Sequence, residues 1–502
     1  MMNKFNLGFG FLLDYGVFSR NKQSNTTKYT NFLNESSLST RKYILLPILP
    51  SSDERTLGIV EDNDITNTTF SSYKIITESK YITKGNTLHF VISARDDNGQ
   101  LMTTGGDYFI AQMYKNSYRE WKSTAGQIID HNNGTYSVYF YAAWAGDADI
   151  SIVLVHPSIA VKFIRTTWWN TGPKIFWIGT LNNTKPGQNS TTLCAIVNEN
   201  DTHFECKYPA KSHALGNYSF ACKRLRGSDC ELKTMRVAGP ETMKKRESWQ
   251  SPFYITLMRY TTDLEPLVCQ TSQWRNTSKV NQCLRNKKLL LMGDSTTRQW
   301  VENLPALILG NYKFDIGKLA DVSSLPRVSA QFYKTINFSV NFHFHPHAIS
   351  KMEISPAVLA KIRYEVEILD TYEIKQCKNT LGILISPWAH FAQWTRHSFE
   401  QRLQKLKEAV VRFHSRCPQV PIVLKGPHVR DHRSPESRLY TSDYLLQQMG
   451  VLMRELFRET GVWFLDVWDM NLSYPSRKVI HMPGVVVQQE LSMFLSYVCD
   501  TH

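Results

Sequence analysis

Apolar and polar positions follow three regimes along the chain. From Ser72 to Ser158, short runs alternate with period two, which places successive side chains on opposite faces of a half-buried strand. Thr87-Leu88-His89-Phe90-Val91-Ile92-Ser93-Ala94, Ser137-Val138-Tyr139-Phe140-Tyr141-Ala142 and Ala148-Asp149-Ile150-Ser151-Ile152-Val153-Leu154-Val155 are the clearest. Turn formers separate them at Asp97-Asn98-Gly99, Gly105-Gly106-Asp107 and Asn132-Asn133-Gly134. This spacing predicts an immunoglobulin-like β-sandwich over residues 72–165. Before it, residues 1–71 lack a sustained period. Phe5 to Phe18 reads as a weak signal or anchor remnant, too short to span a bilayer, and the Ser-, Thr- and Asn-rich remainder as a flexible stalk. Residues 166–285 hold six of the nine cysteines and little periodicity, the pattern of a disulfide-bearing connector.

From Lys287 the pattern becomes strand–helix alternation. Strands are expected over 289–292, 336–344, 381–386, 421–425 and 462–467. Helices are expected over 298–309, 396–414, 443–460 and 485–497. Such alternation implies an α/β/α domain over residues 286–502, with a mostly parallel sheet covered on both faces. Its functional site should lie off the C-terminal strand ends.

Composition fits this multidomain picture. With 502 residues, 42% of them hydrophobic, the chain can bury two or three cores, and 12% aromatic with 20% charged residues argues against disorder. The net charge of +14 is spread along the chain, its longest cluster being Met243-Lys244-Lys245-Arg246. That is a solvated surface with a mild preference for acidic partners such as anionic glycans, and it gives no basic stripe for nucleic acid. Asn-X-Ser/Thr occurs at Asn25, Asn34, Asn67, Asn133, Asn182, Asn189, Asn200, Asn217, Asn276, Asn337 and Asn471. Chance predicts about five such sites, so the excess points to an N-glycosylated protein, secreted or held in the secretory-pathway lumen. The cysteines form no zinc-type pairs, which favours disulfides with one cysteine left over.

Candidate chemistry centres on the apolar strand ending in Met292-Gly293-Asp294-Ser295. A serine at a strand's C-terminal edge, just ahead of a helix, is a recurrent site for an esterase nucleophile. The glycine permits the turn, and helix-end amides favour developing negative charge. Asp294 fits either a catalytic role or simple stabilisation of the helix N-terminus. His343, His345 and His347 recur at period two, but Pro346 ends the strand before the third, and neither a metal nor a cofactor is expected. Trp463 and Trp468 alternate with apolar strand residues and read as core; Trp388 and Trp394, in a loop after a strand, read as a sugar platform.

Taken in order, these segments resemble the neurexophilin and PC-esterase (NXPE) family. The N-terminal part is similar through Gly99-Gln100, Gly105-Gly106-Asp107-Tyr108 and Asn132-Asn133-Gly134-Thr135-Tyr136, followed by Ala145-Gly146. The C-terminal part resembles PC-esterase domains, relatives of the GDSL/SGNH hydrolases. It does so through Gly293-Asp294-Ser295-Thr296 with Arg298-Gln299-Trp300, then Asp466-Val467-Trp468-Asp469-Met470, and Phe494-Leu495-Ser496-Tyr497-Val498-Cys499. The resemblance implies O-acyl esterase or O-acetyltransferase chemistry on glycans, with Ser295 as nucleophile and His481 as base. Lys478 stands where the family's closing motif has aspartate, leaving Asp466 or Asp469 as candidate supporting acids. Pro387, in the segment that supplies an oxyanion donor in these folds, has no N–H. Two readings follow: an acyl-transfer domain, whose turnover the missing acid would impair, or a non-catalytic extracellular binding protein acting through its neurexophilin-like part.

One disulfide is predicted from spacing. Cys377 and Cys417 each lie four residues before a strand, and the helix between those strands makes them parallel neighbours, so both cysteines fall at one sheet end.

Overall fold

The computed structural model describes residues 65–117, 120–183, 188–238, 274, 276–310, 328–346, 362–430, 441–474 and 480–500. The expected stalk before residue 65, His347, Lys478 and Cys269 lie outside these.

The first sheet comprises β1 (Ser72–Ile75), β2 (Thr87–Ser93), β3 (Tyr108–Ser117), β4 (Glu120–Asp130), β5 (Thr135–Tyr141) and β6 (Asp149–His156), in the order β1-β2-β5-β4-β3-β6. All its pairings are antiparallel. The period-two alternation is realised in β2, where Leu88, Phe90 and Ile92 are buried and their neighbours are not. Two stacked sheets would make the expected sandwich. Here β4 joins the halves into one hydrogen-bonded sheet, pairing with β3 as far as Gly126 and with β5 from Gln127 onward. A Cβ at Gly126 would lie 2.6 Å from the Phe140 ring and 2.8 Å from Ala111 Cβ, so only glycine fits where β4 changes partner.

The segment expected as a connector carries an antiparallel sheet of its own: β7 (Trp177–Asn183), β8 (Asn189–Asn198), β9 (Cys206–Tyr208), β10 (Tyr218–Cys222) and β11 (Ser228–Val237), ordered β11-β7-β8-β10-β9. Disulfides Cys194–Cys222 and Cys206–Cys230 staple it. Its weak sequence signal has a physical cause. β7 alternates in burial, but β8 and β10 are buried over several successive residues, and Trp177, Leu215 and Phe220 share one core with Trp394 and Phe399 of the C-terminal domain.

The C-terminal sheet comprises β12 (Lys288–Gly293), β13 (Val328–Tyr333), β14 (Phe338–Phe344), β15 (Thr380–Ile385), β16 (Ile422–Lys425) and β17 (Trp463–Leu465), ordered β13-β14-β12-β15-β16-β17. It is mixed: five strands are mutually parallel, and β13 runs antiparallel at the edge. The helices, numbered along the whole chain, are α1 (Ser158–Phe163), α2 (Thr277–Leu284), α3 (Ser295–Leu309), α4 (Glu365–Asp370), α5 (Ile374–Cys377), α6 (Arg396–Arg416), α7 (Asp443–Phe457), α8 (Trp468–Ser473) and α9 (Gly484–Asp500). On one face Leu289 and Leu291 pack with Trp300 of α3 and Phe494 of α9. On the other, Leu290 and Met292 join Leu406 of α6 and Met449 of α7. The uninterrupted apolar run of β12 is what a strand buried on both faces requires.

Disulfide Cys377–Cys417 spans 40 residues with a Cα separation of 5.7 Å, and β15 and β16 are parallel neighbours, as the spacing predicts. Cys283–Cys499 ties α2 to α9. Among the described residues no helix is long and apolar enough to cross a membrane.

Asn471 separates one sequon from the rest. It is fully buried, and its Nδ2 donates to Val467 O at 2.7 Å and to Glu490 Oε1 at 3.3 Å, whereas Asn133, Asn200 and Asn217 are exposed. Glycopeptide mapping of protein from a glycosylating secretory host should therefore find glycan on exposed sequons and none on Asn471. Substantial occupancy at Asn471 would contradict this packing.

Candidate active site

The site forms where β12, β14, β15 and β16 end. Gly293 closes β12, and a Cβ there would lie 2.2 Å from Thr297 Oγ1 and 3.1 Å from Ser386 Cβ; glycine thus lets α3 start against the sheet. Asp294, fully buried, caps α3: its Oδ1 accepts from Thr296 N and Thr296 Oγ1, each at 2.7 Å, and its Oδ2 accepts from Ala389 N at 3.2 Å. Asp294 thus fills the helix-terminal role. Ser295 follows as the first residue of α3, half-buried at the domain surface.

His481 Nε2 lies 2.7 Å from Ser295 Oγ, within hydrogen-bond reach for proton transfer. The backbone on either side of this histidine is pinned. His428 Nε2 donates to Ile480 O at 3.1 Å, and Gln299 Nε2 donates to Met482 O at 2.8 Å. Burial, with the Lys425 cation nearby, holds His428 well below the ordinary histidine range, so it is the neutral ring that makes this bond. Burial likewise lowers the pKa of His481; Asp294 opposes the shift through space, while the Arg298 and Arg430 cations reinforce it. The base is thus neutral and ready to accept a proton at physiological pH.

The two candidate supporting acids sit elsewhere. Asp466 Oδ2 pairs with Arg454 and its Oδ1 accepts from Trp468 N at 3.0 Å; Asp469 lies exposed in the first turn of α8. Among the described residues no carboxylate accepts a hydrogen bond from Nδ1 of His481. On the oxyanion side, Ala389 N is committed to Asp294, and Thr297 N and Arg298 N donate to the Asp294 carbonyl at 3.1 and 3.0 Å. This leaves the N–H of Ser295 as the helix-terminal donor beside Oγ.

Trp388 and Trp394 are not a sugar platform. They are 0% and 3% exposed, because the loop after β15 folds inward: Trp388 meets the His428 ring edge-on at 4.8 Å, and Trp394 meets Phe391 at 4.9 Å. Trp463 stacks on Tyr497 at 4.4 Å, partly buried against the core, and Trp468 is buried. His345, buried at the end of β14, donates its backbone N–H to Gly293 O at 3.0 Å. Its ring atoms approach Asp294 and His390, a set able to hold a metal ion. The roles of Gln299, His428 and His390 carry no local signal: each acts on a residue far away in sequence, and Arg298-Gln299-Trp300 stood out only as part of a family motif.

Residues 264–499 match the family model described as "NXPE family member 4-like, C-terminal domain", and residues 54–206 match the neurexophilin model. The chain belongs to the NXPE family. Solved structures give weaker likenesses to this NXPE protein. A GDSL-like lipase from Bacteroides thetaiotaomicron is 11% identical, over 46% of this chain and 100% of that one, with a TM-score of 0.27. Two family two carbohydrate esterases are each 8% identical. One, an active-site mutant from Clostridium thermocellum, covers 85% of this chain and 96% of its own with a TM-score of 0.23. The other, from Cellvibrio japonicus, covers 86% and 99% with a TM-score of 0.22. At such TM-scores the likenesses carry no weight for fold or mechanism.

Proposed function

We propose that the C-terminal domain is an acyl-transfer site of the serine–histidine type, acting on O-acyl groups of glycans in the secretory pathway. The 2.7 Å contact between Ser295 Oγ and His481 Nε2, at the C-terminal ends of a parallel sheet, supports this best. Ser295 Oγ attacks the acyl carbon while His481 takes its proton. The tetrahedral oxyanion forms beside the N–H of Ser295, and collapse expels the alcohol, which takes the proton back from His481. Water or an acceptor hydroxyl then releases the acyl group by the same steps in reverse. The four disulfides and the excess of sequons support the compartment. Phe109 of β3 packs on Tyr136 of β5 at 4.8 Å across the intervening β4, which supports an immunoglobulin-like closure of the N-terminal sheet.

One observation favours a second reading. With no carboxylate orienting His481 among the described residues, turnover is expected to be slow, and slow turnover suits a domain retained for binding. Hydrolysis of p-nitrophenyl acetate separates the two. The hydrolytic reading expects a rate that Ser295→Ala returns to the buffer background. Because the pKa of His481 is lowered, the neutral base should already predominate at pH 6.5, with the rate level above that and falling only in more acid solution. Background hydrolysis by the unaltered protein favours the binding reading; an acid limb centred above pH 7 would contradict His481 as base.

A further inference from the structure

We propose that Asp294, His345 and His390 form a binding site for a divalent transition-metal ion of the zinc class, beside Ser295. The three residues come from different parts of the sheet end: Asp294 after β12, His345 after β14 and His390 in the loop after β15. One ligand atom from each, a carboxylate oxygen and two ring nitrogens, lies within 4.8 Å of the others. Two imidazoles and a carboxylate are a common zinc donor set, and three protein ligands leave a position open to a small ligand.

The surroundings have the layout of an outer shell. Glu365 Oε1 lies 3.9 Å from His345 Nδ1, a buried carboxylate beside the ring at slightly more than hydrogen-bond distance. Glu365 is fixed in turn by Arg402 at 2.6 Å, both side chains being buried. The guanidinium carbon of Arg402 lies 4.4 Å from the Phe391 ring centroid, which locks it in place. Asp294 is oriented by Thr296 and by Ala389 N, and Ala389 immediately precedes His390. A fully buried carboxylate facing two imidazoles is also an environment that a cation relieves. His390, half-buried, is the ligand nearest solvent and marks the way in. The sequence groups His345 with His343 and His347, and so misses this set; the fold pairs it with residues from neighbouring strand ends instead.

The proposal stands independently of the acyl-transfer reading, and the experiment keeps them apart. The full-chain protein, stripped with a chelator and dialysed, is titrated with Zn²⁺ alone by calorimetry and with Co²⁺ by visible absorption. One equivalent of Zn²⁺ per chain is expected, with a Co²⁺ spectrum of tetrahedral or five-coordinate type. His390→Ala and His345→Ala should each weaken binding by more than tenfold. Glu365→Gln should weaken it about 10- to 100-fold, as loss of an outer-shell partner does. Ser295→Ala should bind zinc as the unaltered protein does, whatever its effect on ester hydrolysis. Thermal denaturation without metal checks the fold of each variant, and if His345→Ala does not fold, the half-buried His390→Ala decides. No stoichiometric binding, or binding that survives loss of His390, would overturn the site.

Discussion

Glu490→Ala should destabilise the C-terminal domain by about 3–5 kcal/mol, the range for removing one partner of a buried ion pair. Glu490 on α9 is 2% exposed and Lys425, at the end of β16, is 0% exposed; the carboxylate and ammonium lie 3.4 Å apart. Glu490 Oε2 also accepts from Trp300 Nε1 at 2.8 Å, and Oε1 from Asn471 Nδ2 at 3.3 Å. Alanine would leave the ammonium without its counter-charge and the Trp300 N–H without its acceptor, and Asn471 Nδ2 would keep only Val467 O. Lys425 Nζ lies 5.9 Å from the Trp388 ring centroid, too weak a contact to replace a carboxylate. Glu490→Gln keeps an acceptor for Trp300 and should fall between the two. Urea denaturation of the full chain checks this: the midpoint should drop with the slope unchanged. A loss below about 1 kcal/mol would mean that the network does not hold α3, α8 and α9 together as described.

How far the sequence carries can be judged from particular elements. β12 and the helix after it were legible because a strand buried on both faces and a Gly-Asp-Ser turn are local patterns, and the same holds for the Cys377–Cys417 bond, which needs only equal offsets from two strands. β13 was not legible: it is an edge strand, antiparallel to its one neighbour, and half of its environment is solvent. The sheet over residues 177–237 was hidden because its buried side chains answer to a core they share with α6. At the site, Ser295 and His481 were recognisable through motif resemblance, and the structure brings them together. Asp466 had the right residue type and neighbourhood in sequence, yet it lies just past β17 and pairs with Arg454 of α7. Trp388 and Trp394 look like surface aromatics in a loop, and only the inward path of that loop buries them. His428 and Gln299 hold the histidine by its backbone, a kind of support that leaves no spacing to read.

That support leads to the second prediction. His481→Ala should slow acylation of Ser295 by about 10²- to 10⁴-fold, the usual contribution of a positioned general base. Among the described residues no other group is placed to take the serine proton. His428 spends its Nε2 on Ile480 O, and His345 and His390 gather around Asp294. Burial keeps His481 neutral, so the loss should be full at pH 7 and should shrink in acid, where the native histidine is itself protonated. The most direct measurement is labelling of the folded full-chain protein by a fluorophosphonate probe, with the modified peptide identified by mass spectrometry. Label should reside on Ser295, appear much more slowly in His481→Ala, and vanish in Ser295→Ala. Label that persists in Ser295→Ala, or a native protein that remains unlabelled while folded, would contradict a working Ser295–His481 pair.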